Sequence, residues 1–221
     1  MLKIAVSGKM GAGKTTLTNL IQQHHEMNQP KNDNFFNQPY SCSRQLSLAT
    51  PVKKVAHDYF LMPETQKDRP LLQKIGQQFR NIRSSVWIDL LIVEANEFAT
   101  DFDNHNIEGC LVCDDVRFPN ELDALRKDGW FLIRLEVDDE IRKKRINHTY
   151  PHDAEIHWDN RNEISETALD DYEGKWDLVL TNPDYLSLKG IVEEFYSRLS
   201  HSADKGWACF EFRPSISTMP M

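Results

Sequence analysis

The run Gly8-Lys9-Met10-Gly11-Ala12-Gly13-Lys14-Thr15 fits the pattern G-x-x-x-x-G-K-[ST], and the segments on either side give it a frame. Before it, Leu2 to Ser7 is a short apolar run with β-branched Ile4 and Val6 that breaks off in glycines, the pattern of a buried parallel strand. After it, Leu17, Leu20 and Ile21 recur at helical spacing, and the chain turns polar from Gln22 to Asn34, which predicts a helix ending near His25. A strand, a glycine turn and a helix in that order constrain the chain to an α/β architecture. In it, the N–H groups of the turn and the positive end of the helix converge on one anion.

A ligand-free glycine turn would not need that frame, so the motif is read as a phosphate cradle made of Gly11, Ala12, Gly13, Lys14, Thr15 and Thr16. Lys14 is placed to reach the β- and γ-phosphates of ATP, and the Thr15 hydroxyl to ligate Mg²⁺.

Strands alternate with helices through the rest of the chain. Pro51 suits a first helical turn after Ser47-Leu48-Ala49-Thr50. Asp68 to Ile82 and Ser84 to Thr100 read as two more helices. Cys110 to Cys113 is a strand, Pro119 to Lys127 a helix, Phe131 to Val137 a strand and Asp138 to Arg145 a helix. Asp177 to Leu180 is the last strand and Leu186 to Leu199 the last helix. The expected fold is a doubly wound parallel sheet of about five strands, with helices inserted over about 51–105 and a polar flap, the lid, over about 146–171. Residues 201–221 form a tail in which Trp207 to Phe212 reads as an edge strand or a docked arm.

Asp114-Asp115-Val116-Arg117 stands at the carboxyl end of a predicted parallel strand, the edge where ligands of such sheets bind. A carboxylate there suits the Mg²⁺ shell or the attacking oxygen, and Arg117 suits a phosphate. Arg142 and Arg145 lie between a strand and the flap, where an arginine closes over the transferring phosphoryl group or else joins a basic solvated face. His148, His152 and His157 do not match a zinc spacing and read as part of a solvated lid. Cys110 and Cys113, three apart on a strand, read as core residues on opposite faces.

The order of these elements resembles the bacteriophage-type deoxynucleoside monophosphate kinases. The resemblance rests on the glycine motif, Leu48-Ala49-Thr50-Pro51-Val52-Lys53, Leu72-Gln73-x-x-Gly76, Trp87, Asp115-Val116-Arg117-Phe118-Pro119-Asn120-Glu121, Ser165-Glu166 and Asp177-Leu178-Val179-Leu180-Thr181-Asn182. It runs from Met1 to about Leu199, and animal phosphomevalonate kinases are similar in the second half. The chain departs from the pattern at Gln77-Gln78, Glu163 and Pro183-Asp184-Tyr185.

The resemblance implies a P-loop nucleotide kinase that phosphorylates deoxynucleoside 5'-monophosphates with ATP and Mg²⁺. Lys14, Asp115, Arg117 and Arg145 would be catalytic, Thr15 and Asp115 would hold the metal, and Asn182 would lie beside the donor nucleotide. The acceptor would be held between the acceptor-binding helical insertion, over about 51–105, and the edge of the sheet, with Lys53, Arg80, Trp87, Arg117 and Glu121 lining the acceptor side. For Trp87 the residues alone fit a core aromatic as well as a face for a base, and Arg80 alone fits a surface residue.

Composition narrows the partners. No apolar run approaches the roughly 20 residues a membrane helix needs. A leader cleaved from this N-terminus would destroy the motif at Gly8. A formal charge of -8 disfavours wrapping of duplex nucleic acid. Four irregularly spaced cysteines fit a reducing compartment, so a cytoplasmic enzyme of small-molecule nucleotides is expected, in a host cytoplasm for a phage protein, with a homodimer left open. The rivals are a P-loop kinase for phosphomevalonate, dephospho-coenzyme A or a modified base in DNA, and a regulator that hydrolyses nucleotide without an acceptor.

Overall fold

The computed structural model of the chain describes residues 1–28, 42–65, 68–105 and 107–201. The reading of Trp207 to Phe212 and the last part of the polar stretch before Phe35 lie outside these residues.

Five parallel strands form one sheet: β1 (Leu2–Gly8), β2 (Ser43–Leu46), β3 (Cys110–Cys113), β4 (Phe131–Glu136) and β5 (Leu178–Thr181), in the order β2-β3-β1-β4-β5. This is the expected α/β class, a doubly wound five-stranded parallel sheet. The first strand lies at its centre, with Ile4 opposite Val112 on one side and Val6 opposite Ile133 on the other.

The period of two along a strand sorts the core into two layers. Ile4, Val6, Cys110, Val112, Ile133 and Leu135 meet Leu17 and Ile21 of α1 (Lys14–Met27) and Leu188, Ile191 and Phe195 of α9 (Tyr185–His201). Ala5, Leu111, Cys113 and Leu132 meet the opposite layer. That layer draws on α2 (Ala49–Phe60), α3 (Arg69–Ile82), α4 (Val86–Asn104) and α5 (Pro119–Lys127), through Val52, Ile75, Leu91 and Leu122 among others. Cys110 and Cys113 are therefore buried in different layers, as their spacing predicts.

Among the described residues, helices α2 to α4 follow one another between β2 and β3 without an intervening strand. Among the described residues no helix is long and apolar enough to cross a membrane.

The polar flap is built differently from the expectation. After β4 come α6 (Asp139–Thr149), α7 (Ala154–Asp159), a 3-10 turn (Asn160–Asn162) and α8, a single turn at Ile164–Thr167. His157 and Glu166 are buried rather than solvated. The His157 ring lies against Tyr150 with centroids 4.1 Å apart and is bonded to the Arg69 guanidinium from α3. Trp158 carries Arg142, Lys143 and Arg161 around its ring. A segment with few aliphatic residues thus packs through aromatic rings and cations.

The glycine loop is held by the closeness of β1 to β4. A Cβ on Gly8 would come 2.8 Å from the Leu135 carbonyl oxygen and 3.1 Å from the Ala12 side chain. Gly11 and Gly13 take φ values of 78° and 100°, which L side chains rarely adopt. Gly8→Ala therefore pushes a strand backbone rather than a flexible side chain. It is expected to destabilise the fold by about 1–3 kcal/mol, read as a lower urea midpoint at unchanged slope.

Candidate functional site

At the carboxyl ends of β1 and β3 the structure gathers the glycine loop, the two aspartates and the α8 turn. Lys14 Nζ donates to the carbonyl oxygens of Gly8 (2.6 Å) and Lys9 (3.1 Å), folded back along its own loop. Burial lowers its pKa from 10.5 to about 8; Arg117 and Arg134 act in the same direction, against Glu166 and Asp114. Thr16 is exposed in the first turn of α1 beside Thr15.

The two aspartates divide. The Thr15 hydroxyl donates to Asp114 Oδ2 at 2.7 Å, and Gln45 donates to Asp114 Oδ1 at 2.9 Å. Asp115 turns to the other layer, where it accepts from the Ser47 hydroxyl (2.6 Å) and the N–H groups of Leu48 (3.0 Å) and Ala49 (2.9 Å). It also accepts from the Cys113 thiol at 3.3 Å, and burial pushes that thiol's pKa up.

Asp115 thus caps the start of α2, satisfying N–H groups that a helix end leaves open, and its oxygens face α2 rather than Thr15. The carboxylate beside the Thr15 hydroxyl is Asp114, which the sequence reading did not assign. A signal for it existed: Asp114 follows Val112 by two residues, and Val112 faces α1.

Arg117 reaches back over the loop. Its guanidinium is paired with Glu166 Oε1 and donates to the Ser165 carbonyl (3.3 Å), while Glu166 Oε2 accepts the Met10 N–H at 2.7 Å. Asp170 extends the contact by pairing with Lys9 at 2.7 Å and with Arg134 at 3.6 Å. Arg134 is itself buried on β4, donating to the Ser7 hydroxyl, and its pKa is lowered by that burial. Glu166 entered the sequence reading only as part of a motif, and Arg134 and Asp170 did not enter it.

Trp87, Glu121, Arg80, Arg145 and Asn182 each bond to other groups of the protein. Trp87 is 2% exposed, donates to the Gly76 carbonyl at 3.1 Å and stacks on Phe79 with centroids 5.2 Å apart. It is a core residue joining α3 to α4 and offers no free face to a base. Glu121 is equally buried and accepts from the N–H groups of Arg117 (2.9 Å) and Phe118 (3.1 Å) and from Arg80 at 3.0 Å. Burial raises its pKa, opposed by these donors. Glu121 therefore fixes the Arg117 backbone, and Arg80 is spent on Glu121 and on the Phe118 ring. Lys53 is half-buried on α2, one turn beyond Ala49.

Arg145 donates to the carbonyls of Ala12 (3.0 Å) and Pro183 (2.7 Å). It clamps the outer side of the loop to the segment after β5 and does not reach across the site. Asn182, at φ 48°, exchanges side-chain bonds with Asp138: Nδ2 donates to Oδ2 (2.9 Å) and Oδ1 accepts the Asp138 N–H (2.8 Å). Arg142 is buried against the Met10 carbonyl and Asp139.

No family model matches the chain, and no curated protein matches it. Among solved structures, it is similar to a sugar kinase from Janibacter sp., at 15% identity and a TM-score of 0.49, over 90% of this chain and 95% of that one. A shikimate kinase from Bacteroides thetaiotaomicron gives 13% and 0.47, over 90% and 98%. One from Acinetobacter baumannii, in complex with shikimate, gives 11% and 0.44, over 93% and 96%. Identities this low carry no acceptor over to this chain.

The state of Lys14 is directly measurable. In the nucleotide-free protein, acylation of Lys14, followed by peptide mapping across pH, should rise with a midpoint near 8. A midpoint close to the ordinary lysine value would show that the ammonium is not desolvated as the geometry requires.

Proposed function

We propose that this chain is an ATP-dependent kinase that transfers the γ-phosphoryl group of ATP to an acceptor already bearing a phosphate, a deoxynucleoside 5'-monophosphate. The observation that carries the reading is the single Glu166 carboxylate, bound at once to the Met10 N–H and to Arg117. The cation read as the acceptor's partner thus stands one carboxylate's breadth from the donor loop. That spacing suits direct transfer between two phosphates. The choice of deoxynucleotide rests on the order of sequence motifs described above, and Trp87 lends it no support.

The residues present fit Mg²⁺. The Thr15 hydroxyl and the Asp114 carboxylate are hard oxygen donors 2.7 Å apart, and Mg²⁺ takes few protein ligands, completing its shell from phosphates and water. When bound it would neutralise charge on the β- and γ-oxygens.

The chain's own residues supply the rest. The N–H groups of Gly11 to Thr15 cradle the phosphates, and Lys14 exchanges its two carbonyl partners for phosphate oxygens. Arg117, its backbone fixed by Glu121, holds the acceptor phosphate. The oxygens of a phosphate monoester are largely ionised at neutral pH, so the attack needs no general base. Asp115 acts through structure, setting the start of α2 and with it the position of Lys53.

The two aspartates should therefore fail differently. Asp114→Asn is expected to lower kcat on the order of a hundredfold while the urea midpoint stays near wild type. Asp115→Asn should instead cost about 1–3 kcal/mol of stability, because a carboxylate accepting two helix N–H groups is lost. Steady-state kinetics and urea denaturation on both variants check the division, and equal effects would contradict it.

The activity itself is tested with ATP, Mg²⁺ and a panel of acceptors. Turnover of at least one deoxynucleoside monophosphate, with duplex DNA unlabelled, is the expected result. ADP release that ignores every acceptor would favour the nucleotide-hydrolysing regulator instead. Turnover of only phosphomevalonate or dephospho-coenzyme A would move the enzyme to another acceptor.

A further inference from the structure

Glu166 has no assigned part in phosphoryl transfer, yet its side chain is 3% exposed and wholly engaged at the site. A buried carboxylate is costly unless charge and hydrogen bonds compensate it. Here the compensation comes from the groups a phosphate would use: the Met10 N–H at 2.7 Å and the Arg117 guanidinium. Lys14 lies close enough for Glu166 to oppose the lowering of its pKa.

The neighbouring contacts follow the same logic. Asp170 sits between Lys9 and Arg134, so the strip from Ser165 to Asp170 lays two carboxylates across cations that surround the loop. A carboxylate matches two oxygens of a phosphate monoester in shape, with about half to two thirds of its charge at neutral pH. Both anions cannot stay on one guanidinium and one N–H, because two like charges at contact distance repel.

We propose that Glu166 is a resident stand-in for the substrate phosphate: it fills the seat between Met10 and Arg117 in the nucleotide-free protein and leaves, carrying α8 with it, when a phosphate dianion enters. This deepens the reading of Arg117 as the acceptor's cation and rests on it. The consequence concerns selectivity, since an incoming anion must outbid a tethered carboxylate. Singly charged anions bind poorly, and a phosphate dianion opens its own seat.

The test measures inorganic phosphate binding to the full nucleotide-free chain by calorimetry at low salt. Glu166→Gln keeps an oxygen for the Met10 N–H and removes the competing charge. Its phosphate dissociation constant should fall about tenfold or more, and the gain should vanish in the Arg117→Ala background, as a double-mutant cycle requires. A carboxylate that merely holds the fold predicts the opposite, with unchanged or weaker phosphate binding in a folded Glu166→Gln protein, and that result overturns the proposal.

Hydrogen exchange on the wild-type protein supplies a measurement that no variant can spoil by unfolding. Added phosphate should speed exchange across residues 160–171 and slow it in the glycine loop. Phosphate that binds while α8 keeps its protection overturns the proposal, as does wild-type and variant protein that both ignore phosphate. Tightened phosphate binding without turnover of any monophosphate would leave the stand-in intact and remove the proposed activity. Turnover with Glu166→Gln indistinguishable from wild type in phosphate binding would do the reverse.

Discussion

The parallel pairing of β1 between β3 and β4 is the constraint on which the rest of the molecule depends. Because all three strands run the same way, Gly8, Asp114 and the end of β4 emerge at one edge of the sheet. Everything that chemistry requires is then delivered there by loops, while the apolar halves of the strands stay buried between two helical layers. The approach of Gly8 to Leu135 sets how closely the glycine loop can follow the sheet, and so where its N–H groups point.

Four carboxylates at this edge have four different occupations, set by where each is tethered. Asp114 meets the Thr15 hydroxyl, Asp115 the start of α2, Glu121 the backbone leading into α5, and Glu166 the Met10 N–H together with Arg117. Two of them hold α2 and the start of α5, and two face the glycine loop. The cations are similarly shared: Arg80 pairs with Glu121 and Arg117 with Glu166, while Arg145 and Lys14 donate to backbone carbonyls of the glycine loop.

The helical layer between β2 and β3 is tied together by aromatic residues and cations. Buried Trp87 stacks on the exposed Phe79, and Arg80 lies over Phe118 while pairing with Glu121, so α3 and α4 hold the loop that carries Arg117. The flap does comparable work with little aliphatic surface. Tyr150, His157 and Trp158 pack with Arg69, Arg142 and Arg161, and this brings Glu166 and Asp170 to the loop.

Much of this was legible in the residue order. The glycine motif between an apolar strand and a helix determined the α/β class and the place of Lys14 and Thr15 at the start of α1, because these follow from local backbone geometry and a period of two or 3.6. That periodicity also sorted Cys110 from Cys113, and would have sorted Asp114 from Asp115 had it been carried two residues past the strand. The uses of Trp87, Arg80, Glu121 and Arg145 could not be read in this way, since a stacked ring, a buried ion pair and a clamp each depend on a partner distant in the chain. The seating of Glu166 on Met10, 156 residues away, is of the same kind. Local preferences chose the elements and the glycine loop; only tertiary packing decided which partner each charged group at that edge took.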